Sequence, residues 1–163
     1  MNKIDQIDRA VIDLLMQDGR MPSSKIACNL GHGISERMVR YRIQRLVEGG
    51  VISINAIANR QALGYLVVAD VFIEVETSQI RMVAEQLAQE ECVSYVACSI
   101  GDRDVSIQVV ARSNEEIYAF VTEVVGKLPG VHKTTTSIVP LVVKDVYQWR
   151  VPASSCGGEI NQE

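Results

Sequence analysis

The chain has 163 residues, 47% of them hydrophobic, 22% charged and 5% aromatic, with a formal charge of -4. This suits one or two folded domains and excludes collagen-like, low-complexity and disordered classes. No apolar run approaches the roughly 20 residues of a membrane helix, since Tyr65 to Ile73 is short and carries Asp70.

The charge is unevenly spread. Residues 1–60 hold nine Lys/Arg against six Asp/Glu, and residues 61–163 hold seven against fourteen. Such asymmetry points to two modules, one of which meets a polyanion. Ile4, Ile7, Val11, Leu14 and Leu15 recur at helical spacing and predict a first helix that ends near Asp18-Gly19. Pro22-Ser23-Ser24 opens a second, Lys25 to Leu30, closed by Gly31-His32-Gly33. Ser35 caps a third that runs to Glu48 and stops at Gly49-Gly50. Val51 to Ile54 is β-type and predicts the small strand of a wing.

On the third helix, Val39, Ile43, Leu46 and Val47 fall on one arc, and Arg37, Arg40, Tyr41, Gln44 and Arg45 on the other. In a helix-turn-helix this element lies in the major groove of double-stranded DNA, where arginine pairs with guanine or phosphate and glutamine with adenine. The competing reading is a solvated helix paired to Glu36 and Glu48. Arg42 lies on the shoulder of the apolar arc, so a core-packed stem with its head on a carboxylate or phosphate stands beside direct base contact.

From Gly64 the pattern is strand (Tyr65 to Val75), helix (Ser78 to Gln89), strand (Cys92 to Ile100), turn (Gly101 to Asp104), strand (Val105 to Ala111), helix (Asn114 to Leu128) and strand (Val131 to Val143). This β-α-β-β-α-β order predicts an α+β fold, an N-terminal winged helix-turn-helix followed by a ferredoxin-like antiparallel sheet with both helices on one face. The first strand is apolar in both registers, through Val67, Ala69, Val71, Ile73 and also Val68 and Phe72. The open face is therefore expected to pack on another copy of the chain. The predicted division is 1–52 for the DNA-binding domain, 53–63 for a linker, 64–147 for the sheet domain and 148–163 for the tail.

Several motifs in this order resemble the Lrp/AsnC (feast/famine) transcription regulators over nearly the whole chain. They are Ile4-Asp5-x-Ile7-Asp8-Arg9-x-Val11-Ile12, Asp18-Gly19-Arg20, Ser35-x-x-x-Val39-x-x-Arg42-Ile43-x-x-Leu46, Gly50-Val51-Ile52, Leu63-Gly64, Gly101-Asp102-x-Asp104, Pro129-Gly130-Val131 and Thr134-x-Thr136. The resemblance implies a regulator whose winged helix-turn-helix is joined by a linker strand to a ligand-sensing domain, and which forms dimers assembling into octamers. The DNA contacts expected at the third helix are Ser35, Arg37, Arg40, Tyr41, Arg42, Gln44 and Arg45. The wide spacing of the four cysteines fits a reducing cytoplasm. The resemblance also implies an amino-acid effector held between dimers near Gly101, Asp102, Arg103, Asp104, Thr134 and Thr136. Backbone N–H groups at such a turn suit a carboxylate, and aspartates suit an ammonium. Arg103 departs from the aromatic residue frequent at this place in the family, and the Gly31 to Ile34 turn is about two residues longer than is usual there.

Two alternatives share the architecture. Siroheme decarboxylases look like this family but carry a His-x-Tyr-Asn-Leu-Trp-like segment where this chain has Asp102-Arg103-Asp104-Val105-Ser106-Ile107. An effector-independent architectural DNA-binding protein is the other. No catalytic constellation or cofactor motif stands out, and the reading is a non-enzyme without cofactors. The opening segment is acidic where a secretory leader is cationic, and Cys28, Cys92, Cys98 and Cys156 lack metal or disulfide spacing. Cys28, Cys92 and Cys98 read as small core or boundary residues. His32 and His132 read as surface histidines. The Gly/Ser-rich tail from Pro152 is expected to be loosely ordered unless Tyr147 and Trp149 anchor it on a neighbouring subunit.

Overall fold

The computed structural model describes residues 4–156. The residues up to Ile57, together with those from Lys144 onward, form one unit, and Ala58–Val143 forms the other.

In the first unit, α1 (Gln6–Gln17) starts at Asp5, whose carboxylate accepts the Asp8 N–H at 2.7 Å while Asp8 accepts the Asp5 N–H at 3.1 Å. This reciprocal cap satisfies two N–H groups that no helix can satisfy for itself. α2 (Ser23–Leu30) opens two residues earlier than the sequence predicts. Pro22, with φ already at -60°, sits at its N-cap, so both serines enter the first turn. Gly31, at φ +91°, ends the helix in a conformation that side chains rarely adopt. α3 (Glu36–Glu48) is capped by the Ser35 hydroxyl, which accepts the Met38 N–H at 3.2 Å. Val11, Ile26, Ala27 and Val39 form the core among the three helices.

The predicted wing is absent. Val51 to Ile54 forms no strand, because the Val51 and Ile52 N–H groups both turn back to the Leu46 carbonyl, at 2.9 and 3.3 Å, and no strand among the described residues pairs with the remainder. Nor is there a linker strand over 53–63, which is irregular until a turn where the Tyr65 N–H meets the Arg60 carbonyl at 2.9 Å. A second cluster fills the place expected of the wing: Ile4, Ile12, Leu46 and Cys156, flanked by Val51, Ile52 and Val151. The tail, expected to be loose, thus closes this unit as far as Cys156, which bridges to Ile4 in parallel, while the Arg9 Nε–H donates to the Val151 carbonyl at 3.1 Å.

The second unit is a four-stranded antiparallel sheet, β1 (Val67–Val75), β2 (Val93–Cys98), β3 (Val105–Ala111) and β4 (Val131–Ile138), in the spatial order β2-β3-β1-β4. α4 (Ile80–Leu87) follows a 3₁₀ turn at Thr77–Gln79, and α5 (Asn114–Glu123) gives way to a 3₁₀ turn at Val125–Lys127. Both helices are shorter than predicted, α5 because Gly126 is a poor helix former. β4 stops well before Val143, because Pro140 offers no N–H to a ladder. Val71, Ile73, Val105, Ile107 and Val109 share one face of the sheet and pack with Val83, Leu87 and Ile117 of the helices in a single apolar core.

The opposite face is more polar than the alternation predicts. It carries Phe72, but also an Asp70–Gln108 hydrogen bond of 3.0 Å and a Glu74–Lys133 ion pair of 2.8 Å. Gly130, at φ +81°, turns the chain into β4, and a Cβ there would stand 2.9 Å from that of Gln79. Only glycine fits that approach.

Candidate nucleic-acid interface and candidate pocket

α3 offers its outward face to solvent because Val39 and Leu46 are wholly buried beneath it. Ser35, Arg37, Arg40, Tyr41 and Gln44 are all exposed, Tyr41 by 66%. Arg37 has no partner among the described residues. Arg40 pairs with Glu36, and Gln44 donates to Glu48 at 2.8 Å, both at i,i+4 on the open surface. Such pairs contribute about 0.5 kcal/mol or less and exchange readily for phosphate.

Arg45 differs from the expectation of a free cationic arc, whereas Arg42 takes the core-packed alternative, with its head on carboxylates. Arg42 has a side chain only 16% exposed, and its Nη1 donates to both Asp5 oxygens at 2.8 and 2.9 Å and to Asp8 Oδ1 at 2.6 Å. Arg45 donates to Asp8 Oδ2. The Asp8 side chain is 1% exposed, and both its oxygens are engaged. Two guanidinium groups of α3 are therefore spent on the start of α1. A carboxylate taken out of water demands such partners. Burial alone would raise the Asp5 carboxyl, but the Asp8 N–H and the Arg42 guanidinium hold it below its ordinary value. Arg42 is pushed the other way, upward: burial disfavours its charge, and the two carboxylates more than restore it. Neither Asp5 nor Asp8 was singled out beyond the motif at the chain's start, because pairs separated by 34 and 37 residues leave no local periodicity.

In the second unit, an open depression is lined by Phe72, Ser99, Ile100, Gly101, Asp102, Arg103 and Ser106, and has a volume of about 390 Å³. The Arg103 guanidinium lies 4.1 Å from the centroid of the Phe72 ring, a cation–π contact, and makes no ion pair among the described residues. Gly101, Asp102 and Arg103 are thus brought together, and Phe72, Ser99 and Ser106 are additions. Ser106 stands directly opposite Phe72 across β3 and β1, so strand pairing is the signal that places it here.

Asp104 does not line this depression. Its Oδ2 accepts the Val75 N–H at 2.8 Å, replacing a ladder partner beyond the start of β3, and its own N–H donates to the Ile73 carbonyl at 3.1 Å. Thr134 and Thr136 do not join it either. They pair with Ile73 and Val71, on the helix-bearing side of the sheet, whereas Thr135 is the neighbour of Phe72.

Cys28 and Cys98 are exposed rather than core residues, and Cys156 is buried. Burial, with Glu90 and Glu116 nearby, pushes the Cys92 thiol up and away from the reactive thiolate. His32 and His132 are exposed. Among the described residues no group of three His, Cys, Asp or Glu is placed to hold a metal ion, and no helix is long and apolar enough to cross a membrane.

Family models match both units: AsnC-type helix-turn-helix domain over residues 4–47 and Lrp/AsnC ligand binding domain over residues 68–149. An uncharacterised HTH-type transcriptional regulator of Pyrococcus abyssi is 36% identical over 143 residues, covering 87% of this chain and 89% of that protein. Among solved structures, E. coli AsnC superposes with a TM-score of 0.79 at 20% identity, over 88% of this chain and 98% of that one. A Neisseria meningitidis transcriptional regulator, solved as its L-Met complex, gives 0.80 at 16% identity, over 88% and 94%.

Proposed function

The chain belongs to the Lrp/AsnC family of DNA-binding transcriptional regulators, and from that premise we propose which of its residues bind DNA and which bind an effector. Ser35, Arg37, Arg40, Tyr41 and Gln44 enter the major groove. Arg37 and Arg40 serve bases or phosphates, Gln44 a base edge, and Ser35 a phosphate at the helix start. The observation that carries this is the exposed, side-chain-rich outer face of α3 above a buried apolar underside. Arg42 and Arg45 are left out because Asp5 and Asp8 hold them. Arg37→Ala and Arg40→Ala should each weaken binding to a DNA duplex and flatten its log–log salt dependence by about 0.9. Anisotropy titrations at several salt concentrations read both quantities. An unchanged slope in both variants overturns the assignment.

Like the Neisseria regulator seen with L-Met, this protein takes an amino acid, at the depression beside the Gly101–Arg103 turn. Arg103 receives the carboxylate, Asp102 the ammonium, and the Ser99 and Ser106 hydroxyls complete the shell. The site is finished between protomers, where a second copy presents Thr134 and Thr136. Self-association as a dimer, and through dimers to an octamer, is supported by exposed apolar residues such as Leu63, Leu66, Leu141, Val143, Tyr147 and Trp149. The protein works in the cytoplasm as a regulator rather than as an enzyme, in keeping with relatives named transcriptional regulators. Calorimetry of the full chain against a panel of amino acids should find a ligand that Arg103→Ala no longer binds. Equal heats in both proteins would place the effector elsewhere.

A further inference from the structure

We propose that Asp8 is a specificity-determining residue that acts through other groups, withholding Arg45 and Arg42 from the DNA backbone so that α3 binds by its base-reading face rather than by bulk charge. The inference rests on the reading of α3 as the groove helix.

Four arginines stand on α3 within nine residues, and free they would make it a strong, indiscriminate polycation. The structure divides them. Arg37 and Arg40 face solvent, whereas Arg42 and Arg45 are drawn back onto one carboxylate that is itself out of water. Asp8 is well placed for this because the α1 capping box fixes it: its Oδ2 also accepts the Asp5 N–H, so it cannot swing out with the arginines. Arg45 is the poised member. Its side chain remains 44% exposed, and it has a single ionic partner among the described residues. Loss of that carboxylate would free a cation at the groove rim, where phosphates lie in every sequence. Non-specific affinity would rise without any gain in base reading, and discrimination would fall.

The test uses the full chain and a mixed-sequence DNA duplex, with anisotropy followed against salt concentration. Asp8→Asn, which preserves shape and leaves Arg42 on Asp5, should raise affinity for this duplex several-fold at low salt and steepen the log–log slope by about 0.9, the one additional phosphate contact of Arg45. Adding Arg45→Gln to Asp8→Asn should return the slope to its starting value, which repacking of the helices alone would not do. Arg45→Gln by itself should leave the slope unchanged, and this arm decides the matter if Asp8→Asn does not fold. The proposal is overturned if Arg45→Gln flattens the slope as much as Arg37→Ala, because Arg45 would then already be on a phosphate. It is equally overturned if a folded Asp8→Asn binds with an unaltered slope. If Arg37→Ala and Arg40→Ala also change nothing, the reading of α3 as the groove helix fails, and the role of Asp8 falls with it.

Discussion

The two units are held together in different ways. The sheet unit buries one continuous apolar core, with Ile73, Leu87, Val105 and Ile107 at its centre. The helical unit splits its apolar residues into two smaller clusters and fastens α3 to α1 with a buried carboxylate between two arginines. A sheet face and its two helices offer enough apolar area to hold themselves together. The three helices add to their two apolar clusters a buried ionic link, from which removal of one partner would leave an uncompensated charge. The unit that carries the DNA-binding helix-turn-helix also ties two of its arginines to its own carboxylates.

The largest effect that would sharpen this contrast is expected in the sheet unit. Leu87→Ala opens a void in the middle of its core and should cost about 2–5 kcal/mol in urea unfolding. A loss under about 1 kcal/mol would mean that the core is not the continuous block described. Next comes Gly130→Ala, which meets both a positive φ and the Gln79 side chain and should cost about 1–3 kcal/mol by the same measurement. A neutral result would show that the turn into β4 relaxes freely.

The smallest effect belongs to the helical unit and is a matter of pH. The folded value of the Asp5 carboxyl lies below its unfolded value, so its contribution is complete above about pH 4 and fades as pH falls through the folded value. Trp149, the single tryptophan, lies in the segment that closes this unit. Its emission should begin to shift on acidification below about pH 4. A shift that starts well above this, near pH 6, would implicate other groups and break the contrast.

Local patterns in the sequence carried the architecture a long way. The apolar period of α1, the Ser35 cap and the βαββαβ order each follow from neighbours within a few residues, where periodicity and turn chemistry operate. The outer arc of α3 was legible for the same reason. What was hidden depends on distant partners. The spacing on α3 put Arg45 outward, but only the fold brings Asp8 beneath it. Val51 to Ile54 has the composition of a strand, yet a strand needs a neighbour to pair with. Through the resemblance, Thr134 and Thr136 meet the Gly101 turn between dimers, which the register within one protomer does not bear on. Their pairing with Ile73 and Val71 puts them on the other side of the sheet, and a shift of one residue in register would have reversed that. Asp104 shows the same limit, since its role at the Val75 N–H depends on where β3 begins.

The closure of the helical unit by Val151 and Cys156 makes it a discontinuous domain, with the entire sheet inserted between its two parts. As the ribosome releases the chain, α1, α2 and α3 emerge before the sheet yet lack the residues that seal their lower cluster. The sheet emerges next, with all its strands contiguous, and can be complete before the last stretch of polypeptide returns to Ile4. The reading head of the regulator is therefore begun before the sheet and finished after it.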